Sequence, residues 1–271
     1  MLLKEKILGF VGAGNMAGAI VNGIVSTKTF PSQRIYVYDI NSEKKKELQV
    51  TAGVNGVESL PSLIENCDII FLAVKPQNFS EVLSEIKAVV NENKLFVSIA
   101  AGISTQYIIT SLGCSCPVIR TMPNTPLLIG KGATAICKTE NVNDEDFNLV
   151  KSLFASCGTV TVLNESQMNA VISVNSSSPA YIYLFAKAMM DNAVKQGIDA
   201  DVALQLICQT LEGSAGMLRN PQLTPDALIK MVSSPGGTTL KALDVFYEGN
   251  FEGMVGNAMM ACTKRAEELG K

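Results

Sequence analysis

Histidine is absent from this 271-residue sequence. That removes Ser-His-Asp and Cys-His nucleophile systems, histidine-ligated zinc sites, and dehydrogenases that use histidine as acid or base. Charge is sparse as well. Charged residues make up 17%, and 22 Lys and Arg against 25 Asp and Glu leave a net charge of −3. With no long basic run, no nucleic-acid partner is expected. Long apolar runs are missing: a stretch such as 69–74 is far too short to cross a bilayer, so no membrane partner is expected either. The opening Met1-Leu2-Leu3-Lys4-Glu5-Lys6 carries charge where a secretory leader needs its apolar stretch. Seven cysteines, odd in number and scattered, do not make a disulfide framework and point to reduced thiols in the cytoplasm. Cys114 and Cys116 form a C-x-C, but no second pair at finger spacing follows, so no metal is expected there.

What the chain does have is apolar mass. Hydrophobic residues reach 47%, enough for a full core, and the length suits two domains at about 150 residues each. In the first half, short β-branched runs at 7–11, 34–39, 69–74, 95–100 and 117–121 read as strands. Helix-like stretches at 16–25, 42–52, 62–66 and 80–90 lie between them, the last opened by an Asn78/Glu81 capping box. Strands at 132–136 and 159–163 flank a helix over 144–156. Such alternation predicts an α/β domain, a mainly parallel sheet wrapped by helices, over residues 1–163.

Beyond Asn164 the strand signals nearly stop. Residues 168–175, 179–196, 201–219, 224–232, 239–247 and 251–269 read as helices, giving an all-α second domain over 164–271. Tyr181, Ile182, Tyr183, Leu184, Phe185, Met189 and Met190 cover more than one face of their helix, which predicts burial against another subunit.

Two glycine segments stand out as chemistry. Gly12-Ala13-Gly14-Asn15-Met16-Ala17 follows the first strand and opens a helix. Its first glycine permits the tight turn, its second lets a pyrophosphate approach, and the small Ala17 lets helix and strand pack closely. Asp39 ends the second strand 22 residues beyond Ala17, where a carboxylate accepts ribose hydroxyls and repels a 2′-phosphate. That favours NADH over NADPH, although Lys44, Lys45 and Lys46 nearby could accommodate a phosphate. The plainer reading of Asp39 is a cap for the helix near Ser42. The second segment, residues 233–239 (Ser-Ser-Pro-Gly-Gly-Thr-Thr), combines two glycines and four hydroxyls before a helix, a composition suited to a carboxylate. Its plain reading is a helix cap after a Pro-Gly turn. Tyr183 and Lys187 match the Y-x-x-x-K pair of short-chain dehydrogenases, but in an apolar helix outside the α/β domain the match reads as coincidence.

With both segments in place, the chain closely resembles the pyrroline-5-carboxylate reductase family, nearly end to end. The resemblance rests on residues 12–17, Ala73-Val74-Lys75-Pro76-Gln77, Ser98-Ile99-Ala100-Ala101-Gly102, Arg120-Thr121-Met122-Pro123-Asn124-Thr125-Pro126, Pro179-Ala180-Tyr181 and Ser234-Pro235-Gly236-Gly237-Thr238-Thr239. It implies a Rossmann-like domain binding NADPH or NADH and a helical dimerisation domain, in a homodimer or a ring of dimers. It implies hydride transfer to a cyclic imine, giving L-proline. By the same resemblance, Gly12, Gly14, Asn15, Met16 and Ala17 hold the pyrophosphate and Asp39 the adenine ribose. Ala73, Val74, Lys75, Pro76 and Ala101 lie along the nicotinamide. Ser234, Gly237, Thr238 and Thr239 bind the substrate carboxylate, with the Thr239 hydroxyl near the ring nitrogen as the catalytic group. The chain departs from the family at Asn175-Ser176-Ser177-Ser178, where Ser-Gly-Ser-Gly is usual, and at Lys187, where an acidic residue is common. Two rivals remain at this stage: a β-hydroxyacid dehydrogenase using Lys187, and a cofactor-binding regulatory protein without turnover.

Overall fold

The computed structural model describes residues 6–270, so the charged opening at 1–5 lies outside the described residues. Eight strands form one sheet: β1 (Leu8–Val11), β2 (Ile35–Tyr38), β3 (Asn55–Gly56), β4 (Ile69–Leu72), β5 (Leu95–Ser98), β6 (Val118–Met122), β7 (Gly132–Lys138) and β8 (Gly158–Val162). Their order is β3-β2-β1-β4-β5-β6-β7-β8, parallel throughout except for the β6–β7 pair. The first six strands follow the doubly wound order, with its switch point between β1 and β4.

Alternation along the strands feeds two cores. Leu8, Phe10, Ile69 and Phe71 pack on one face under α1 (Asn15–Ser26), α2 (Ser42–Ala52) and α6 (Asp144–Ala155). Val11, Ile70, Leu72 and Phe96 pack on the other under α3 (Leu60–Asn66), α4 (Phe79–Ile86) and α5 (Thr105–Leu112). The period-two direction of strand side chains is the cause. The Phe10 and Phe71 rings, paired across β1 and β4, stack with centroids 4.4 Å apart.

The α/β sheet followed by helices is as expected, with local corrections. Asn78 does not cap α4. The chain enters that helix through a 3-10 turn, Pro76–Asn78, so Asn78 is already helical and its side chain makes no cap bond. The same helix stops at Ile86 rather than at 90. The expected helix over 168–175 is replaced by turns and a π-helical turn, Ile172–Ser176, closed by the Ser177 N–H on the Ile172 carbonyl at 2.8 Å. Two elements were not anticipated: the short β3, and α5, which Ser104 caps through the Tyr107 N–H.

The later helices are α7 (Ser178–Lys195), α8 (Ala200–Leu218), α9 (Pro225–Met231), α10 (Thr238–Glu248) and α11 (Phe251–Leu269). Residues up to Pro179 and from Met260 onward make one compact unit, and Ala180–Met259 make the other. The turns over 165–176 and the last part of α11 therefore belong with the sheet. Met168, Ile172 and Ala266 share a small core with Met122, Ala135 and Cys137. Within the second unit only Ala203 and Ile207 are buried apolar residues, while Leu184 is 68% and Leu206 60% exposed. A single copy of this unit cannot bury its own apolar side chains.

Candidate functional site

Around the switch point the structure gathers residues from four segments into a cleft of about 430 Å³. Gly12 sits just beyond β1 at φ +103°, where an added Cβ would lie 2.8 Å from the Ala73 carbonyl oxygen, so only glycine fits. Gly14 is the N-cap of α1 and offers no side chain to the first-turn N–H groups. A Cβ added at Gly14 would meet nothing within 4 Å, so the approach to those donors is open. Ala17 is fully buried against the sheet, as its small size allows. These features fit the pyrophosphate of a dinucleotide.

Asp39 stands at the end of β2, and each of its oxygens accepts a backbone N–H: Oδ2 from Ala13 at 2.7 Å, Oδ1 from Asn41 at 2.8 Å. It does not cap α2. Asn41 does, accepting from the Glu43 and Lys44 amides. The lysine run also divides. Lys45 is buried and donates to Glu58 at 2.8 Å and to the Val57 carbonyl at 3.0 Å. The Lys45 hydrogen bond, together with the lysine's charge, holds the Glu58 carboxyl below its ordinary value. Lys46 is exposed, and Lys44 alone of the three lines the cleft.

The cleft brings Gly12, Gly14, Asp39, Ala73, Val74 and Lys75 together. Asn15 lines an adjoining hollow with Ala13 and Gly18, while Met16 turns partly into the core beside Ala17. Pro76 begins the 3-10 turn before α4, and Ala101 lies past the end of β5 against the Met122 core. Sequence reasoning missed the far wall: Asn78, Glu81 and Glu85. The i, i+4 spacing of the two carboxylates on an amphipathic helix was the available signal. Burial, with Glu85 close by, pushes the Tyr38 hydroxyl above its ordinary value.

In the second unit, α10 begins behind Gly237, which again provides no side-chain cap. Thr238 and Thr239 are its first two residues, so Thr239 is not the cap that the plain reading required. Ser233 is spent on the Ile229 carbonyl at 2.7 Å. Ser234 shapes the turn, its carbonyl accepting the Gly237 N–H at 2.9 Å. Lys187, on which one rival depended, is exposed and ion-paired with Asp191 one turn along α7.

A doubly wound sheet with an open glycine turn at its switch point defines a dinucleotide-binding protein of the Rossmann type. Comparison with known proteins narrows that class. The family described as NADP oxidoreductase coenzyme F420-dependent matches residues 7–102, and pyrroline-5-carboxylate reductase dimerisation matches residues 165–269. The pyrroline-5-carboxylate reductase of Escherichia coli is 39% identical over 267 residues, covering 98% of this chain and 99% of that protein. The Haemophilus influenzae reductase is 37% identical over 272 residues, covering 98% of each. The crystal structure of Plasmodium falciparum pyrroline carboxylate reductase with NADP bound superposes with a TM-score of 0.91 at 30% identity, covering 99% of both chains. The chain belongs to the pyrroline-5-carboxylate reductase family.

Proposed function

We propose that this chain is an NAD(P)H-dependent oxidoreductase that reduces the cyclic imine 1-pyrroline-5-carboxylate to L-proline, the last step of proline biosynthesis. The observation that carries the reading concerns helix starts. Asn41, Ser59, Ser104, Asn143, Asp199 and Thr224 cap α2, α3, α5, α6, α8 and α9 with their own side chains. By contrast α1 and α10 begin behind bare glycines, leaving their first-turn donors to ligands. One suits the cofactor pyrophosphate and the other the substrate carboxylate.

Membership of the family supports the following roles. Gly12, Gly14, Asn15, Met16 and Ala17 form the pyrophosphate turn, and Asp39 holds that turn beside the adenine ribose. Ala73, Val74, Lys75, Pro76 and Ala101 border the nicotinamide, which supplies hydride when bound. Ser234, Gly237 and Thr238 anchor the carboxylate, and the Thr239 hydroxyl accepts from the protonated ring nitrogen. The imine takes that proton from solvent, which makes the C=N carbon electrophilic without an enzyme base. A histidine-free site is therefore sufficient. Residues 1–163, with the segments up to 179 and from 260 that pack on them, serve the cofactor; the helices over 180–259 serve dimerisation and substrate. The exposed apolar helices and the dimerisation family support a homo-oligomer, which we take to be a dimer or a ring of dimers. Reduced thiols support a cytoplasmic setting, and among the described residues no helix is long and apolar enough to cross a membrane.

Thr239→Ala tests the reading. Because Thr239 is not a cap, the change costs no capping energy, and helix propensity favours alanine by about 0.5 kcal/mol. The expected result is kcat/KM for the imine lowered roughly tenfold or more, about 1.4 kcal/mol, with an unchanged or raised Tm. Wild-type kinetics in this variant would remove Thr239 from the chemistry.

A further inference from the structure

The Asn175 side chain does something a single hydroxyl donor cannot. Its Nδ2 donates to two carbonyls at once, Met122 at 2.7 Å and Ala133 at 2.9 Å. Met122 is the last residue of β6, and Ala133 lies near the start of β7, beyond the final paired residues Met122 and Ala135. The β6–β7 ladder ends at that pair, while Ala133 goes on pairing with Thr159 of β8.

Asn124 completes the arrangement from the other side. Its Oδ1 accepts the Ala133 N–H at 2.8 Å, and its Nδ2 donates to the Asn175 carbonyl at 3.0 Å. The Ser176 hydroxyl donates to the Pro123 carbonyl at 3.2 Å. Residues 122–124 are thus tied to the π-helical turn by reciprocal side-chain bonds, and such turns often sit at functional sites. On the neighbouring strand, the loop after β5 is held by the end of α11. At Gly102, φ +82°, an added Cβ would lie 2.3 Å from the Ala266 carbonyl oxygen.

In a doubly wound sheet a dinucleotide lies across the carboxyl ends of the strands, one half on each side of the switch point. With the adenine ribose at Asp39, just past the end of β2, the nicotinamide half would lie over the ends of β4, β5 and β6. We infer that Asn175 is a positioning residue for hydride transfer. Through Met122, Ala133 and Asn124 it fixes the rim of β6 against which the nicotinamide is aligned. The inference rests on the reductase reading above. A misplacement of about 1 Å at such a rim is costly for the chemical step, whereas the adenosine half is gripped elsewhere.

The experiment uses full-length Asn175→Ala and Asn124→Ala beside wild type, with ADP-ribose as a probe lacking nicotinamide and NADH fluorescence as a probe of the nicotinamide itself. The expected result has three parts. ADP-ribose affinity stays within about twofold, the fluorescence change on NADH binding is reduced, and kcat with the imine falls tenfold or more. An unchanged NADH signal and kcat would overturn the inference. So would equal loss of ADP-ribose and NADH binding, since Asn175 would then support the fold rather than the rim. Should Asn175→Ala not fold, Asn124→Ala decides by the same readings. Failure of wild type to reduce the imine would sink the reductase reading, and the two binding probes would still decide the role of Asn175.

Discussion

The Asp39 carboxylate accepts the Ala13 N–H at 2.7 Å, so a residue at the end of β2 holds the glycine turn that follows β1. In the proposed cofactor site it would therefore first shape the turn, and only then meet the ribose. Asp39→Ala frees the turn for either cofactor. Charge-assisted hydrogen bonds of this kind contribute about 1.5–3 kcal/mol. KM should rise about tenfold or more for both NADH and NADPH, while kcat at saturating cofactor changes little. Steady-state kinetics checks this, and a rise for NADH alone would mean that Asp39 acts only on the ribose.

Cofactor preference turns on Lys44. With Lys45 committed to Glu58, the cleft sets Asp39, Glu81 and Glu85 against Lys44 and Lys75, a wall unfavourable to an extra phosphate. Wild type should have the higher kcat/KM with NADH. Lys44→Ala should widen that ratio about threefold or more by weakening NADPH alone. A wild-type preference for NADPH would contradict this balance.

Alkali should destabilise the fold through its buried thiols. Burial pushes Cys67 up from 9.0 to about 12, and it raises Cys116, Cys137 and Cys157 as well. These groups keep their protons in the folded chain where the unfolded chain loses them. Their stabilising effect is complete below about pH 9 and diminishes as pH rises towards the folded values. The urea midpoint should fall between about pH 9 and pH 11, and Cys67→Ala should flatten that fall. A midpoint that holds or rises over this range would contradict the assignment.

The proposed assembly would draw on the exposed apolar side chains of α7 and α8. Leu184→Glu places a charge where a partner's apolar surface is expected, so sedimentation should show dissociation toward smaller species. An unchanged oligomer would place Leu184 outside the interface.

Features governed by local chemistry were legible in the sequence. The bounds of α2 follow from its Asn41 cap and from Gly53 just past its end, and α11 matches its apolar stretch. The glycine turn was legible because at Gly12, φ +103°, only glycine suits the backbone. Features set by distant partners were not. Nothing near Lys45 announces that it is withdrawn onto Glu58 and Val57, and nothing near Asn175 announces that carbonyls 53 and 42 residues earlier draw its amide in the π-helical turn that stands in place of the expected helix. The α5 helix was missed because it is one short segment with an Ile-Ile-Thr run, and its Ser104 cap is clear only once the chain has folded.

The most direct measurement is the stoichiometry of the reaction. Purified protein is incubated with NADH or NADPH and pyrroline-5-carboxylate, and cofactor oxidation is followed beside chiral quantification of proline. The account predicts that one L-proline forms for each cofactor oxidised, with no oxidation when the imine is omitted. Oxidation of 3-hydroxyacids with NAD(P)⁺ and none of the imine reaction would contradict it. Cofactor binding without turnover would contradict it equally.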